Sequence, residues 1–286
     1  MLWWRPNKAE QEVGGEAVFK AIGIGVVTAG LLAATGSVSS PASAAPLPPT
    51  PNAAVSYQLG GDYEPEFEHG IVIRDSTSSP ITGHYNICYL NGFQTQTDQT
   101  GWWKKKHRSL LLRKGGRYVV DGQWNEVVLD TSTAKKRRAI SRVVARWTDG
   151  CARRGFNAVE FDNLDSYQRS RGRLTKANSV ALAKLLVKRA HLRGLAAGQK
   201  NASELGDRGR RVAKFDYAIA EECERYRECD SYRANYGDKL IEVEYTDYST
   251  AVFDRACAAR GSQISVILRD RQLRAAGEPG YRYAAC

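Results

Sequence analysis

From residue 55 onward, short apolar or β-branched runs alternate with polar, helix-forming stretches, and this alternation points to a parallel sheet assembled from strand and helix units. Nine runs read as strands: VSYQL (55–59), IVIRD (71–75), YNICYL (85–90), EVVLD (126–130), AVEFD (158–162), LAAGQKN (195–201), YAIAEE (217–222), LIEVEY (240–245) and ISVILRD (264–270). A closed barrel needs eight, so one of them, the first or the last, is expected to be accessory. A doubly wound open sheet would alternate in the same way, but no glycine-rich phosphate loop follows the first run. The expected fold class is therefore α/β, a (β/α)8 TIM barrel with room for one accessory strand. The intervening segments fit helices. Residues 176–194 place Leu182, Leu185, Leu186 and Ala190 on one side and end at Gly194. Ile140, Val143, Val144, Trp147 and Cys151 form the buried stripe of a second helix, whose basic residues are its wet face.

In parallel-sheet folds the strand exits carry the chemistry. The segment AVEFDNLDSY (158–167) ends an apolar run in Glu160, Asp162 and Asp165 and then meets Tyr167. Strand alternation puts Glu160 and Asp162 on one face, with Val159 and Phe161 on the other. A helix cap would need one acid, and this segment offers three. Asp75, Asp130, Lys200 with Asn201, Glu221 with Glu222, and Glu244 stand at the other exits, so polar groups are expected to converge on one rim. His191 lies far along its helix from these exits and is read as structural.

The chain has 286 residues, 42% of them hydrophobic, enough for one large core. Its first part differs in character. Lys20 leads into AIGIGVVTAGLLAA (21–34) and then GSVSSPASAA, the pattern of a secretory signal peptide cut near Ala44, with an uncleaved anchor as the alternative. The expected organisation is a leader over 1–44, a proline-rich linker over 45–54, and one catalytic domain over 55–286 that is exported and acts as a monomer. All six cysteines lie beyond the cut, as disulfides formed after export would require. Six cysteines allow 15 pairings, and Cys229 with Cys257 is the expected one, since both sit in loop or helix segments. Cys223 and Cys229 lack the close spacing of a zinc knuckle, so neither metal nor cofactor is expected.

The formal charge of +11 raises nucleic acid as a partner. No nucleic-acid motif accompanies it, so none is expected; Lys104 to Lys106 after Trp102 and Trp103 read as a solvated loop, with an aromatic and basic binding patch as the alternative. Serine chemistry is set aside for want of a G-x-S-x-G elbow with a placed histidine. Paired acids with aromatic side chains nearby (Tyr57, Trp102, Trp103, Tyr167, Tyr226 and Tyr245) suit glycoside hydrolysis, in which one carboxyl protonates the leaving oxygen and the other stabilises or attacks the oxocarbenium-like centre.

In this order, AVEFDNLDSY, GQKNA (198–202), AEECERYREC (220–229) and VEY (243–245) resemble glycoside hydrolase family 114, the endo-α-1,4-polygalactosaminidases and their barrel relatives. The resemblance runs over residues 55–286. It implies an eight-stranded barrel that hydrolyses an amino-sugar polysaccharide within α-1,4-linked galactosamine chains. By position it implies Asp162 and Glu221 as catalytic acids and Glu160, Asn163, Asp165, Lys200, Asn201, Glu244 and Tyr245 as pocket residues. Asp75 and Glu222 are added from the strand-exit reading, and Tyr57 and Tyr167 as aromatic faces for sugar rings. Phe161 departs from the family's usual proline, Ser166 from its glycine, and Gln94 stands near where an acid is common. The alternative from another class is a secreted barrel that binds carbohydrate without cleaving it.

Overall fold

The computed structural model describes residues 45–286; the expected leader, residues 1–44, lies outside the described residues. Eight parallel strands follow one another in chain order and in space: β1 (Val55–Gln58), β2 (Ile71–Asp75), β3 (Tyr85–Asn91), β4 (Ala158–Asp162), β5 (Ala196–Lys200), β6 (Tyr217–Glu221), β7 (Leu240–Tyr245) and β8 (Ser265–Arg269). A ninth, β9 (Tyr283–Ala285), runs antiparallel beside β8. One apolar cluster draws Val55, Ile73, Ile87, Ala158, Ala196, Ile219, Val243 and Ile267 from all eight parallel strands, so the sheet curls around a filled interior. The first and last parallel strands are tied by side chains and loop backbone. Fully buried Arg269 donates to the carbonyls of Tyr57, Arg274 and Arg282, Ser265 Oγ donates to Ala53 O, and Gly60 N donates to Leu273 O.

The opposite faces of the strands meet the helices. Cys88, Leu90, Val159, Phe161, Ala218 and Val266 pack with residues of α2 (Ala134–Arg154), α3 (Lys176–His191) and α5 (Cys229–Tyr236), which follow α1 (Thr100–Lys106) and, for α5, α4 (Cys223–Tyr226); α6 (Thr250–Arg260) precedes β8. In α2 the stripe is as expected, with Ile140, Val143, Val144 and Cys151 buried and Trp147 partly so. Thr133 caps α2, and Thr175 with Asn178 forms a capping box on α3. Among the described residues, no helix separates β1 from β2 or β2 from β3 along the chain. The outward positions of β1 and β2 are Ser56, Gln58, Val72 and Arg74, and buried Arg74 donates to Gln58 Oε1 and to the carbonyls of Tyr63 and Ser79.

Four expectations are corrected. The run at 126–130 is not a barrel strand. Glu126–Val127 pairs with Val120–Asp121 in a small hairpin, and Val128 and Leu129 make single bridges to Gln94 and Leu111. It is therefore the fourth run, not the first or last, that stands outside the barrel, because its β-branched content suits any pleated pairing and β4 takes the place beside β3. Cys229 pairs with Cys223, Cys257 with Cys286, and Cys88 with Cys151, so the expected Cys229–Cys257 bond is not formed. Cys223 and Cys229 flank a single short helix with their Cα atoms 4.8 Å apart, inside disulfide reach. Trp103 is buried in the core beside Trp147, while Trp102 stays partly exposed. The segment after residue 45 packs against the barrel, with Pro49 buried and Leu47 O accepting from Tyr85 Oη at 2.7 Å.

Candidate active site

Alternation along β4 sends Val159 and Phe161 outward to the helices and Glu160 and Asp162 inward, as the sequence pattern predicts. The same parity brings Lys200 inward from β5, Glu221 from β6 and Tyr245 from β7. Lys200 is the hub. Its ammonium, 2% exposed, lies 3.2 Å from Glu160, 3.2 Å from Glu221, 3.6 Å from Asp162 and 2.8 Å from the hydroxyl of Tyr57. By the triangle these distances form, the oxygens of Asp162 and Glu221 that face it are no more than about 7 Å apart. Burial alone would pull the Lys200 pKa down; the charges of Asp162, Glu221 and Glu160 overcome it and hold the ammonium well above its ordinary value.

Each carboxylate has its own hydrogen bonds. Asp162 accepts from Tyr89 Oη at 2.8 Å and from Asn163 N at 2.6 Å. Glu221 accepts from Tyr245 Oη and from Asn201 Nδ2 at 3.0 Å. Against the upward push of burial, Lys200 and these donors hold Glu221 below the usual carboxylate value, so it is ionised. Glu160 accepts from Tyr57 Oη at 2.9 Å and has no exposed surface, whereas Asp162 and Glu221 are 18% and 23% exposed. Only the latter two can touch a substrate. Burial pushes Glu160 up to about 7, ahead of the opposing pull of Lys200.

Sharp turns deliver these side chains to the mouth. Asn163, Asn201 and Glu222, the residues next after Asp162, Lys200 and Glu221, all have left-handed backbone, with φ of 68°, 49° and 60°. Asparagine tolerates this region; glutamate does so at a cost, and here Arg225 and Arg271 hold the Glu222 carboxylate. The rim encloses a cleft of about 610 Å³ lined by Asp162, Asn163, Asp165, Lys200, Asn201, Glu221, Glu222 and Tyr245. Asp165 is paired there with Arg169 at 2.6 Å.

Other anticipated residues lie elsewhere. Tyr57 and Glu160 are beneath the cleft floor. Glu244 points away from the barrel interior, because Ile241, Val243 and Tyr245 occupy the inward positions of β7, and it accepts from Glu224 N at 2.9 Å. Asp75 is engaged with Thr77 and Gln96, Asp130 with Ser132 and Lys136, and Tyr167 with Glu204; none of the three lines the cleft. His191 bonds Asp216 at 2.8 Å on the outer helix layer.

The cleft also holds residues that the strand-exit pattern does not single out. Glu126 accepts from Asn91 Nδ2 at 2.9 Å and from Asn163 Nδ2 at 3.2 Å, and burial, reinforced by the charges of Asp162 and Asp121, pushes it up to about 7. Asp121, Arg169, Glu204, Glu228, Trp124 and Arg271 complete much of the lining. Eight carboxylates against three cations line the cleft, so it is acidic on a chain of formal charge +11. Its chemistry is that of two accessible carboxylates braced by one ammonium, with Tyr226 and Trp124 exposed at the edge.

The profile of glycoside-hydrolase family GH114 matches residues 36–286. Among solved structures, Aspergillus fumigatus Ega3 in complex with galactosamine superposes with a TM-score of 0.66 at 20% identity, over 86% of this chain and 100% of that one. The glycoside hydrolase domain of Pseudomonas aeruginosa PelA gives 0.57 at 16% identity, over 79% and 97%. These likenesses establish a shared fold. No curated protein matches the chain in sequence.

Proposed function

This chain belongs to glycoside hydrolase family GH114 and is a glycoside hydrolase, and we propose that it is exported and cleaves internal α-1,4 linkages of galactosamine-containing polysaccharide with Asp162 and Glu221. The observation that carries this reading is the pair of accessible carboxylates at the exits of β4 and β6, braced by Lys200 at the floor of an acidic cleft. A polymer of amino sugars carries ammonium groups, and a cleft with an excess of carboxylates attracts them while a neutral or acidic glycan gains nothing from it. The galactosamine bound to Ega3, a protein of the same fold, supports the same substrate class. Three disulfides among the described cysteines support export.

The ceiling of about 7 Å between the facing oxygens leaves little of the span of about 6.5 to 9.5 Å that inversion uses, and it accommodates the 5 to 5.5 Å of direct attack. The reading is therefore retention. One carboxylate attacks the anomeric carbon as the other donates a proton to the departing glycosidic oxygen; the second then takes a proton from water, which releases the sugar from its ester. Tyr89 and Tyr245, whose hydroxyls burial keeps protonated, orient the two carboxylates. Lys200 favours the ionised form of Glu221.

The test is release of reducing amino-sugar oligosaccharides from polygalactosamine by the protein, beside folded Asp162→Asn and Glu221→Gln variants. Loss of release in both supports the assignment. A glycoside with an activated leaving group then divides the roles, since it spares the loss of the acid but not that of the nucleophile. Binding of the polymer with no release by the parent would instead favour the non-catalytic binding barrel.

A further inference from the structure

We propose that the outer face formed by α1 and α2 is a second binding site, outside the acidic cleft, that docks the enzyme on a linear phosphodiester polyanion. Helix α2 carries eight basic residues and one acid, Asp149, and that acid is held by Arg189 and Arg193. Arg138, Arg142 and Arg146 are exposed and spaced four apart, which sets them in one row along the helix at steps of about 6 Å. Lys105, Lys106 and Arg108 are exposed at the end of α1 and just beyond it. The two groups adjoin. Trp102 packs edge-on to His107 with ring centroids 4.8 Å apart and lies 6.1 Å from Trp147, the residue next after Arg146. These rings fix α1 against α2 and so fix the spacing of the cations.

A solvated helix face is the ordinary reading of a basic run. Two observations weigh against it. Such faces interleave both signs, as in the neighbouring pair of Lys136 with Asp130, whereas none of these six cations has an ion-pair partner among the described residues. The concentration of charge is also felt locally: burial, Arg146 and Lys106 together lower the pKa of His107. An amino-sugar polymer would be repelled by this face, so it does not extend the cleft. A row of guanidiniums matches repeated phosphates, which arginine grips bidentately. A lipid surface would call for an apolar wedge, and Trp102, 38% exposed, is the one large apolar side chain standing out on α1.

The probe is a short double-stranded DNA of arbitrary sequence, titrated with the whole protein at increasing salt. The expected result is binding whose log K falls linearly with log salt, and a slope smaller by about 3 in the triple variant Arg138→Gln, Arg142→Gln, Arg146→Gln, at about 0.9 per charge removed. The triple variant is expected to keep its thermal midpoint and its activity on short soluble oligosaccharides, because none of the three lies in the cleft. Asp162→Asn is expected to leave DNA binding unchanged. Equal slopes for parent and triple variant overturn the proposal, and so does binding to vesicles of acidic phospholipid without binding to DNA. Neither result touches the assignment of the cleft.

Discussion

Replacing Lys200 with methionine, which keeps most of the length of the side chain and removes its charge, isolates what the ammonium does for the two accessible carboxylates. At 3.2 Å one such pair is worth about 5 kcal/mol at an effective dielectric of about 20 and about 1 kcal/mol in bulk water. Asp162 and Glu221 are 18% and 23% exposed, so water screens them partly and a value of about 1.5 to 3 kcal/mol applies to each. For Glu221, which the Lys200 charge holds below its usual value, the change is upward, since losing a nearby positive charge makes a carboxylate harder to ionise. The acidic limb of the pH profile of kcat/KM is therefore expected to move to higher pH in Lys200→Met. The variant is also expected to be destabilised by about 3 kcal/mol or more, because Glu160 is left buried without its partner, so the profile is measured at a temperature where circular dichroism shows it folded. A folded Lys200→Met enzyme with an unshifted acidic limb would refute this role for the Lys200 ammonium.

Other outcomes follow from the same geometry. Glu126, Glu160 and Glu244 have folded-state values raised to about 7, about 7 and about 8 from 4.5, chiefly by burial. Their contribution to stability is full below 4.5 and is lost as pH rises through 7 to 8, so the thermal midpoint is expected to fall from about pH 5 to pH 8 and Glu244→Gln to flatten that slope; a midpoint that climbs across this range contradicts it. Removing the Cys88–Cys151 bond, which closes a separation of 63 residues, is expected to cost up to about 4 kcal/mol in denaturant titration, and an unchanged midpoint would show that the bond constrains nothing. A Cβ at Gly198 would stand 2.5 Å from the ring of fully buried Tyr217, so Gly198→Ala is expected to destabilise by about 1 to 3 kcal/mol, against near neutrality if the ring can shift.

Much of the fold is legible in the sequence because strand alternation and helix periodicity are local. AVEFD shows this best: its apolar and acidic residues divide between the two faces of β4 as period two requires. The same rule, applied to LIEVEY with Ile241 and Val243 inside, turns Glu244 outward, so its place away from the cleft is also written in the strand's own pattern. The run at 126–130 is not legible in this way, because β-propensity reports compatibility with a pleat and says nothing about which partner is adjacent. Reading it as a barrel strand also hides Glu126: at the start of a strand it lies at the wrong end for chemistry, whereas the hairpin turns it over the cleft beside Asn91 and Asn163. Cysteine pairing is illegible for a related reason, since Cys257 meets the terminal Cys286 only once α6 and β9 are both packed around β8.

The central claim is that Asp162 and Glu221 together break a glycosidic bond within an amino-sugar polymer. Proton NMR of the reaction of polygalactosamine with the protein tests it most directly, by reading the anomer that appears first. The account predicts new reducing ends of α configuration, which then mutarotate, and no new signal with Asp162→Asn or Glu221→Gln. First appearance of the β anomer would contradict the retaining geometry, and undiminished release by either variant would contradict the assignment of the pair.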